Sequence, residues 1–134
     1  MKTFKTAYSG ESCVKYPSGL GPEVYYAKVL PREVTALIAG VCKELGIPVP
    51  RVTVSRRRTV RRLGTYQPGN RKIIIYRLEK CIVLHELAHY IAEMLFRFYT
   101  HGPIFGSVLS ELWAYVEHKA NNLKLIRERK GGTR

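Results

Sequence analysis

The sequence predicts a single α+β domain, in which one supporting helix precedes a small, mainly antiparallel sheet of about three strands and two further helices. Three observations lead to this class. The chain has 134 residues, which suffices for one modest core. Its composition, 46% hydrophobic and 25% charged, is ordinary for a globular protein. The spacing of its apolar residues changes from helical to alternating and back to helical along the chain.

The supporting helix is predicted to begin at Pro31 and to end before Gly46. Proline suits a first helical position, and glycine favours the end of a helix. Residues 1–30 are interpreted as an irregular lead-in, because residues 1–26 are rich in Gly, Ser, Pro and Tyr and show no sustained period. The apolar residues that repeat at helical spacing are Val34, Leu37, Ile38, Val41 and Leu45.

Three short strands are predicted in the middle of the chain. Residues 51–55 alternate between polar and apolar side chains, and residues 63–67 and 71–77 form two further β-rich runs. The turn-forming sequence at 68–70, Pro-Gly-Asn, separates the last two. This order places the sheet between the supporting helix and the helical second half of the chain.

Two helices complete the predicted domain. From Leu78 the helical period returns, and one long helix that is apolar on most sides is predicted to reach about Thr100. His101-Gly102-Pro103 then breaks this helix, and the proline can open a closing helix. We assign residues 31–118 to the domain, and residues 119–134 to a basic helix end and tail.

The charge balance is strongly basic. Lys and Arg number 23 against ten acids, all of them Glu, so the formal net charge is +13 and no Asp can act as a ligand, nucleophile or base. Such a charge favours a polyanionic partner, with nucleic acid (DNA) ahead of a membrane surface. We predict that the densest cluster contacts phosphate groups, with a solvated charge run as the alternative. This cluster consists of Arg56, Arg57, Arg58, Arg61 and Arg62.

The cysteines and the apolar runs bear on the compartment. Three cysteines are an odd number and show no CxxC spacing, which argues against a disulfide framework and against a cysteine zinc knuckle. The N-terminal residues lack the apolar run of a signal peptide, and no stretch approaches the ~20 apolar residues of a membrane span. We therefore expect a cytoplasmic, nucleoid-associated or nucleus-associated protein that is not secreted and has no membrane partner.

The strongest chemical signal is His85-Glu86-Leu87-Ala88-His89, which fits the motif HExxH. On a helix, residues four apart lie on one face, so both imidazoles can bind one Zn²⁺ at roughly 2.0–2.1 Å. Glu86 is then placed to reach a metal-bound water and to accept its proton. A catalytic zinc needs three protein ligands, and the chain break can fold His101 back beside the first two histidines.

HELAH, eleven intervening residues and then HGPIF resemble the SprT/Spartan family of zinc peptidases. The strand pair before the motif, with residues 64–66 and 73–75, is similar to that family as well, and the likeness covers about residues 31–118. The resemblance implies a zincin-like fold, one Zn²⁺ per chain held by His85, His89 and His101, and Glu86 as general base. It also implies that Phe105 packs beside the site. The function implied is zinc-dependent hydrolysis of peptide bonds, in proteins associated with DNA.

Two other interpretations of the motif stay open. In gluzincin-type peptidases the third ligand is a glutamate on a later helix, a place that Glu111 or Glu117 could fill. Alternatively, the protein is a DNA-binding module whose zincin-like site is structural or inactive. The presence of Glu86 argues against that second interpretation, because a structural site needs no general base.

Overall fold

The structure is a computed structural model that describes residues 21–55, 63–97, 101–118 and 123. Within these ranges it contains four helices and a sheet of three strands, which confirms the α+β class. The helices are α1 (Pro22–Tyr25), α2 (Pro31–Leu45), α3 (Lys80–Phe96) and α4 (Pro103–His118). The strands are β1 (Arg51–Val54), β2 (Gly64–Gln67) and β3 (Lys72–Ile75).

The helix α1 lies in a segment that the sequence predicts to be irregular. It begins at a proline in the first helical position, with Glu23 in its first turn. At four residues it is too short to produce a periodic pattern, so sequence analysis could not detect it. The ring of Tyr25 stacks on Trp113 of α4 at a centroid distance of 5.3 Å, and this tertiary contact holds α1 on the core.

The supporting helix α2 has the predicted bounds. The Glu33 side chain accepts a hydrogen bond from the backbone N–H of Leu30 at 2.7 Å, and Gly46 ends the helix in the left-handed conformation at φ 69°. The helix buries one face in the core. That face consists of Val34, Ile38, Val41, Cys42 and Leu45.

The sheet is mixed, with the strand order β1-β3-β2. Strands β2 and β3 form an antiparallel hairpin, whereas β1 pairs with β3 in parallel, from Arg51 opposite Lys72 to Val54 opposite Ile75. The predicted sheet was mainly antiparallel. The difference arises because the turn after Gln67 specifies the hairpin locally, while nothing local specifies the strand that β1 joins.

The helix α3 is the centre of the core. Most of its residues are buried, and it packs against β2, β3 and α4. Each fully buried Leu or Ile side chain contributes roughly 1.5–3 kcal/mol to stability. The helix ends at Phe96, before the predicted end near Thr100, because Arg97 adopts the left-handed conformation at φ 53° and its N–H bonds the carbonyls of the last turn.

The cysteines that the structure describes, Cys42 and Cys81, are buried and form no disulfide. Burial raises the pKa of the Cys42 thiol to about 11, so this group stays protonated and packs as a small apolar side chain. No helix in the described ranges combines the length and the hydropathy that crossing a membrane requires.

Candidate metal centre

Two histidines of α3 lie on one side of the helix. His85 and His89 are four residues apart, and their ring centroids are separated by 4.9 Å. His85 is only 2% exposed, and His89 is half-buried. Because α3 is packed on nearly all sides, the surrounding core fixes the positions of both rings.

A third imidazole reaches this pair from the segment before α4. The Nε2 atom of His101 lies 3.0 Å from Nε2 of His89 and 3.2 Å from Nε2 of His85. The ligand atoms of the three histidines all lie within 4.8 Å of one another. His101 thus lies beside the two histidines of α3, as the sequence predicts, and the three side chains could hold a metal ion.

The nitrogen spacing fits a small cation with tetrahedral ligands. Two nitrogens bound at roughly 2.0–2.1 Å and separated by a tetrahedral angle lie about 3.4 Å apart, close to the two separations in this cluster. The Nε2 atom of His101 faces the Nε2 atoms of both other rings. A shared cation would accept the lone pairs of all three rings at once.

Phe105 of α4 covers one side of the cluster. Its ring centroid lies 4.4 Å from that of His89, 4.9 Å from that of His101 and 5.0 Å from that of His85. Phe105 is fully buried, so it packs beside the histidines as the resemblance implies. The imidazoles become more exposed from His85 through His89 to His101, and the cluster therefore opens to solvent on the His101 side.

Burial keeps the three imidazoles neutral. Burial, with a smaller contribution from His101, lowers the pKa of His89 to about 4. Burial and the two neighbouring rings lower the pKa of His85 well below 6.5, and burial lowers that of His101. At neutral pH the rings are uncharged, which is the form that binds a metal.

These shifts predict that the metal-free protein loses stability as the pH falls from 7.5 to 5. In the unfolded chain the histidines take up protons near pH 6.5, whereas in the folded chain their pKa values are lower. Below pH 6.5 the unfolded state therefore binds more protons than the folded state. The free energy of unfolding consequently decreases as the pH falls from 6.5 toward the folded-state pKa values of the histidines. Thermal unfolding of chelator-treated protein measures this effect, and a His89→Gln variant should show a weaker decline. A melting temperature that stays constant or rises across this range would contradict the shifts.

The side chain of Glu86 extends from α3 toward the strand β2. Glu86 is 3% exposed. A β-carbon built on Gly64 of β2 would lie 3.3 Å from Oε2 of the Glu86 carboxylate. Further along the strand, Tyr66 Oη donates a hydrogen bond to Glu93 Oε1, and the N–H of Gly69 donates to Glu93 Oε2 at 3.3 Å. Burial and the Glu93 carboxylate raise the pKa of Tyr66, so the phenol stays a proton donor. These contacts hold β2 along the helix that carries the histidines.

The sequence places residues 64–66 in the strand before the motif, but it predicts no contact of Gly64, Tyr66 or Glu93 with the site. A local signal exists for Glu93, which follows His89 by four residues and so shares its side of α3. Gly64 and Tyr66 likewise share a strand face, because they are two residues apart. Their contacts with α3 depend on tertiary packing, which no local pattern specifies.

The two glutamates considered as alternative ligands, Glu111 and Glu117, do not belong to the histidine cluster. Glu117 Oε2 is 2.5 Å from Nζ of Lys80, at the first residue of α3. Glu111 is a half-buried residue of α4. In the parts of the chain that the structure describes, neither belongs to a group of side chains that could hold a metal.

The five arginines predicted to contact phosphate, Arg56, Arg57, Arg58, Arg61 and Arg62, lie outside the described residues.

The positive charge is unevenly distributed along the chain. The ranges that the structure describes contain nine Lys or Arg and eight Glu, whereas the remaining residues contain fourteen Lys or Arg and two Glu. The described ranges around the histidines are thus nearly neutral, and almost all of the net charge belongs to residues 1–20, 56–62, 119–122 and 124–134.

Comparisons with protein-family models, curated proteins and solved structures find no match.

Proposed function

We propose that this protein is a zinc-dependent metallopeptidase of the SprT-like type, which hydrolyses peptide bonds. The observation that carries the proposal is the convergence of three imidazole Nε2 atoms beside a buried glutamate of the same helix. Three nitrogen ligands with one open position are typical of catalytic rather than structural zinc sites. When bound, zinc would lower the pKa of water to about 7 and polarise the substrate carbonyl.

Zinc is the ion we propose because the donor set consists of imidazoles with nearly tetrahedral spacing. His85, His89 and His101 would hold one ion per chain. The exposed side of the cluster, next to His101, is where a substrate carbonyl could approach. Phe105 would keep the opposite side of the rings dry.

Glu86 is proposed as the general base. Its carboxylate would accept a proton from the attacking water and return it to the leaving amine. The residue directly follows His85 in α3, so the helix that places two ligands also places the base. A metal site with a purely structural role has no use for a buried carboxylate at this position, which favours the enzymatic interpretation.

The substrate would bind along β2. This strand is an edge of the described sheet, because the order is β1-β3-β2, and it runs next to Glu86. An extended peptide can add to such an edge through main-chain hydrogen bonds, with little demand on its sequence. The proposed substrates are therefore extended or locally unfolded protein segments.

The direct test of the proposed function is metal analysis combined with protein digestion. Protein purified without a His tag is expected to contain about one equivalent of zinc and to cleave casein or histone. A chelator should remove both the metal and the activity, and added zinc should restore them. Zinc-loaded protein that leaves both substrates intact would refute the proposal.

We further propose that the protein acts near DNA, since a net charge of +13 favours a polyanionic neighbour. Because the described domain is nearly neutral, DNA contact would come from the basic segments, with the arginine cluster at 56–62 first among them. The second candidate function, a DNA-binding module with an inactive metal site, has the same charge in its favour. It predicts DNA binding without any peptide hydrolysis.

Replacing the five arginines of this cluster with serine should weaken DNA binding on all sequences alike. Each lost phosphate contact removes a slope of about 0.7 to 0.9 from log K against log salt, so the salt dependence should become much shallower. Cleavage of a DNA-bound protein should fall, whereas cleavage of a free peptide should stay the same. Salt-titrated binding measures the change, with an Arg32→Ser/Lys43→Ser variant of exposed α2 residues as the control. An unchanged slope would show that the cluster is only solvated.

A further inference from the structure

Gly64, the first residue of β2, makes an unusually close approach to α3. A β-carbon at this position would lie 2.7 Å from Cγ2 of Ile82, 3.2 Å from Cγ of Glu86 and 3.3 Å from its Oε2. Among the glycines that the structure describes, Gly46 and Gly69 have a positive φ. Gly64 does not, so its backbone lies outside the left-handed region. The position therefore requires glycine for space and not for its backbone conformation.

The strand cannot easily move away from the helix. Its backbone pairs with β3 from Gly64 to Gln67, and Tyr66 ties it to Glu93 on the same helix. The Gly69 N–H adds a second hydrogen bond to the same carboxylate. A side chain at position 64 would therefore displace Ile82 and the Glu86 side chain more readily than the strand itself.

We propose that Gly64 is a positioning residue for Glu86. Because glycine has no side chain, the Glu86 carboxylate can lie directly against the backbone of β2. This inference rests on the proposed function, in which Glu86 is the base. A general base acts only within hydrogen-bond reach of the proton it accepts, and small misplacements of such groups are known to slow catalysis strongly. The strand that would bind the substrate thus also sets the position of the base.

The test separates the contact with Glu86 from the contact with Ile82. Ile82→Leu removes the branch methyl Cγ2 with little change in volume, so it serves as the background. In this background, Gly64→Ala is expected to lower kcat about 10-fold or more, with zinc content and KM nearly unchanged. Gly40→Ala is the matched control, because a β-carbon at Gly40 of α2 would meet nothing within 4 Å. An unchanged kcat in Gly64→Ala would overturn the proposal.

A second measurement does not depend on activity. In the same background, Gly64→Ala should lower the melting temperature. This decrease should be at least about 3 °C smaller when Glu86 is also replaced by alanine, because Cγ and Oε2 of Glu86 are then absent. Shifts that are equal with and without Glu86→Ala would show that the space serves another neighbour, and the proposal would fail. Folding of the Gly64→Ala protein only when Glu86→Ala is present would support it.

The two proposals fail in different ways. If the parent protein binds zinc but cleaves nothing, the peptidase assignment is wrong, while the melting-temperature cycle still decides whether Gly64 positions the Glu86 side chain. If the parent cleaves peptides and the Gly64→Ala protein cleaves them equally fast, the peptidase assignment stands and the role of Gly64 is refuted.

Discussion

Glu86→Gln is expected to lower kcat for peptide hydrolysis by about 10²-fold to 10⁴-fold, which is the usual contribution of a general base. The amide has nearly the same shape as the carboxylate, so it should still fit against Gly64 and Ile82 in its buried position. It carries no negative charge, its NH₂ group donates where a carboxylate oxygen accepts, and it cannot take a proton from water. Because the shape is retained, the fold and the zinc content should remain those of the parent.

Three readings on the same preparation make this result decisive: kcat, zinc per chain and melting temperature. Glu23→Gln is the matched control, since it makes the same exchange at an exposed residue of α1. DNA binding should also be unaffected in the Glu86→Gln protein. If the variant with full zinc content cleaves casein as fast as the parent, Glu86 is not the base.

Much of the fold follows from local patterns. Apolar residues at helical spacing predict α2, α3 and α4, because burial of one face stabilises a helix in its tertiary context. The hairpin of β2 and β3 follows from the turn at Pro68 and Gly69, where Gly69 supplies a φ of 81°. The sequence also predicts the approach of His101 to α3, from a chain break at Gly102 and Pro103, although α3 already ends at Phe96.

The features that could not be predicted are those that depend on distant parts of the chain. The parallel pairing of β1 with β3 depends on how the chain crosses the sheet between them. The end of α3 at Phe96 depends on a non-glycine residue, Arg97, in a conformation that sequence rules assign to glycine. The close approach of Gly64 to Glu86 joins residues that are 22 positions apart, so no motif records it.

The candidate site shows the same division between local and distant information. HExxH is a helical pattern, so the position of His85 and His89 on one side of α3 could be predicted from spacing alone. The support from β2, through Tyr66 and Glu93, is invisible in the sequence because aromatic and acidic residues at such positions are common. What the sequence supplies is the set of reactive groups, and what the fold adds is the set of contacts that hold them in place.

His101→Ala is expected to weaken zinc binding at least about 100-fold if His101 is the third ligand of the proposed zinc. Loss of an outer partner of a zinc ligand already weakens binding 10-fold to 100-fold, and loss of a ligand itself should have a larger effect. Competition with a chelator of known affinity measures the change. Activity should fall with the metal, and zinc in excess should restore part of it.

Glu111→Gln and Glu117→Gln are the matched comparisons, because each removes one carboxylate that the gluzincin-type alternative would use. Glu117 should show a distinct signature: its exchange breaks the pair with Lys80, whose side chain is 23% exposed, and should lower the melting temperature by a few degrees without loss of zinc. The geometry favours His101, since its Nε2 lies within 3.2 Å of both other imidazole nitrogens while Glu117 Oε2 is bound to Lys80. Zinc retained by His101→Ala and released by either glutamine variant would instead assign the third ligand to a glutamate.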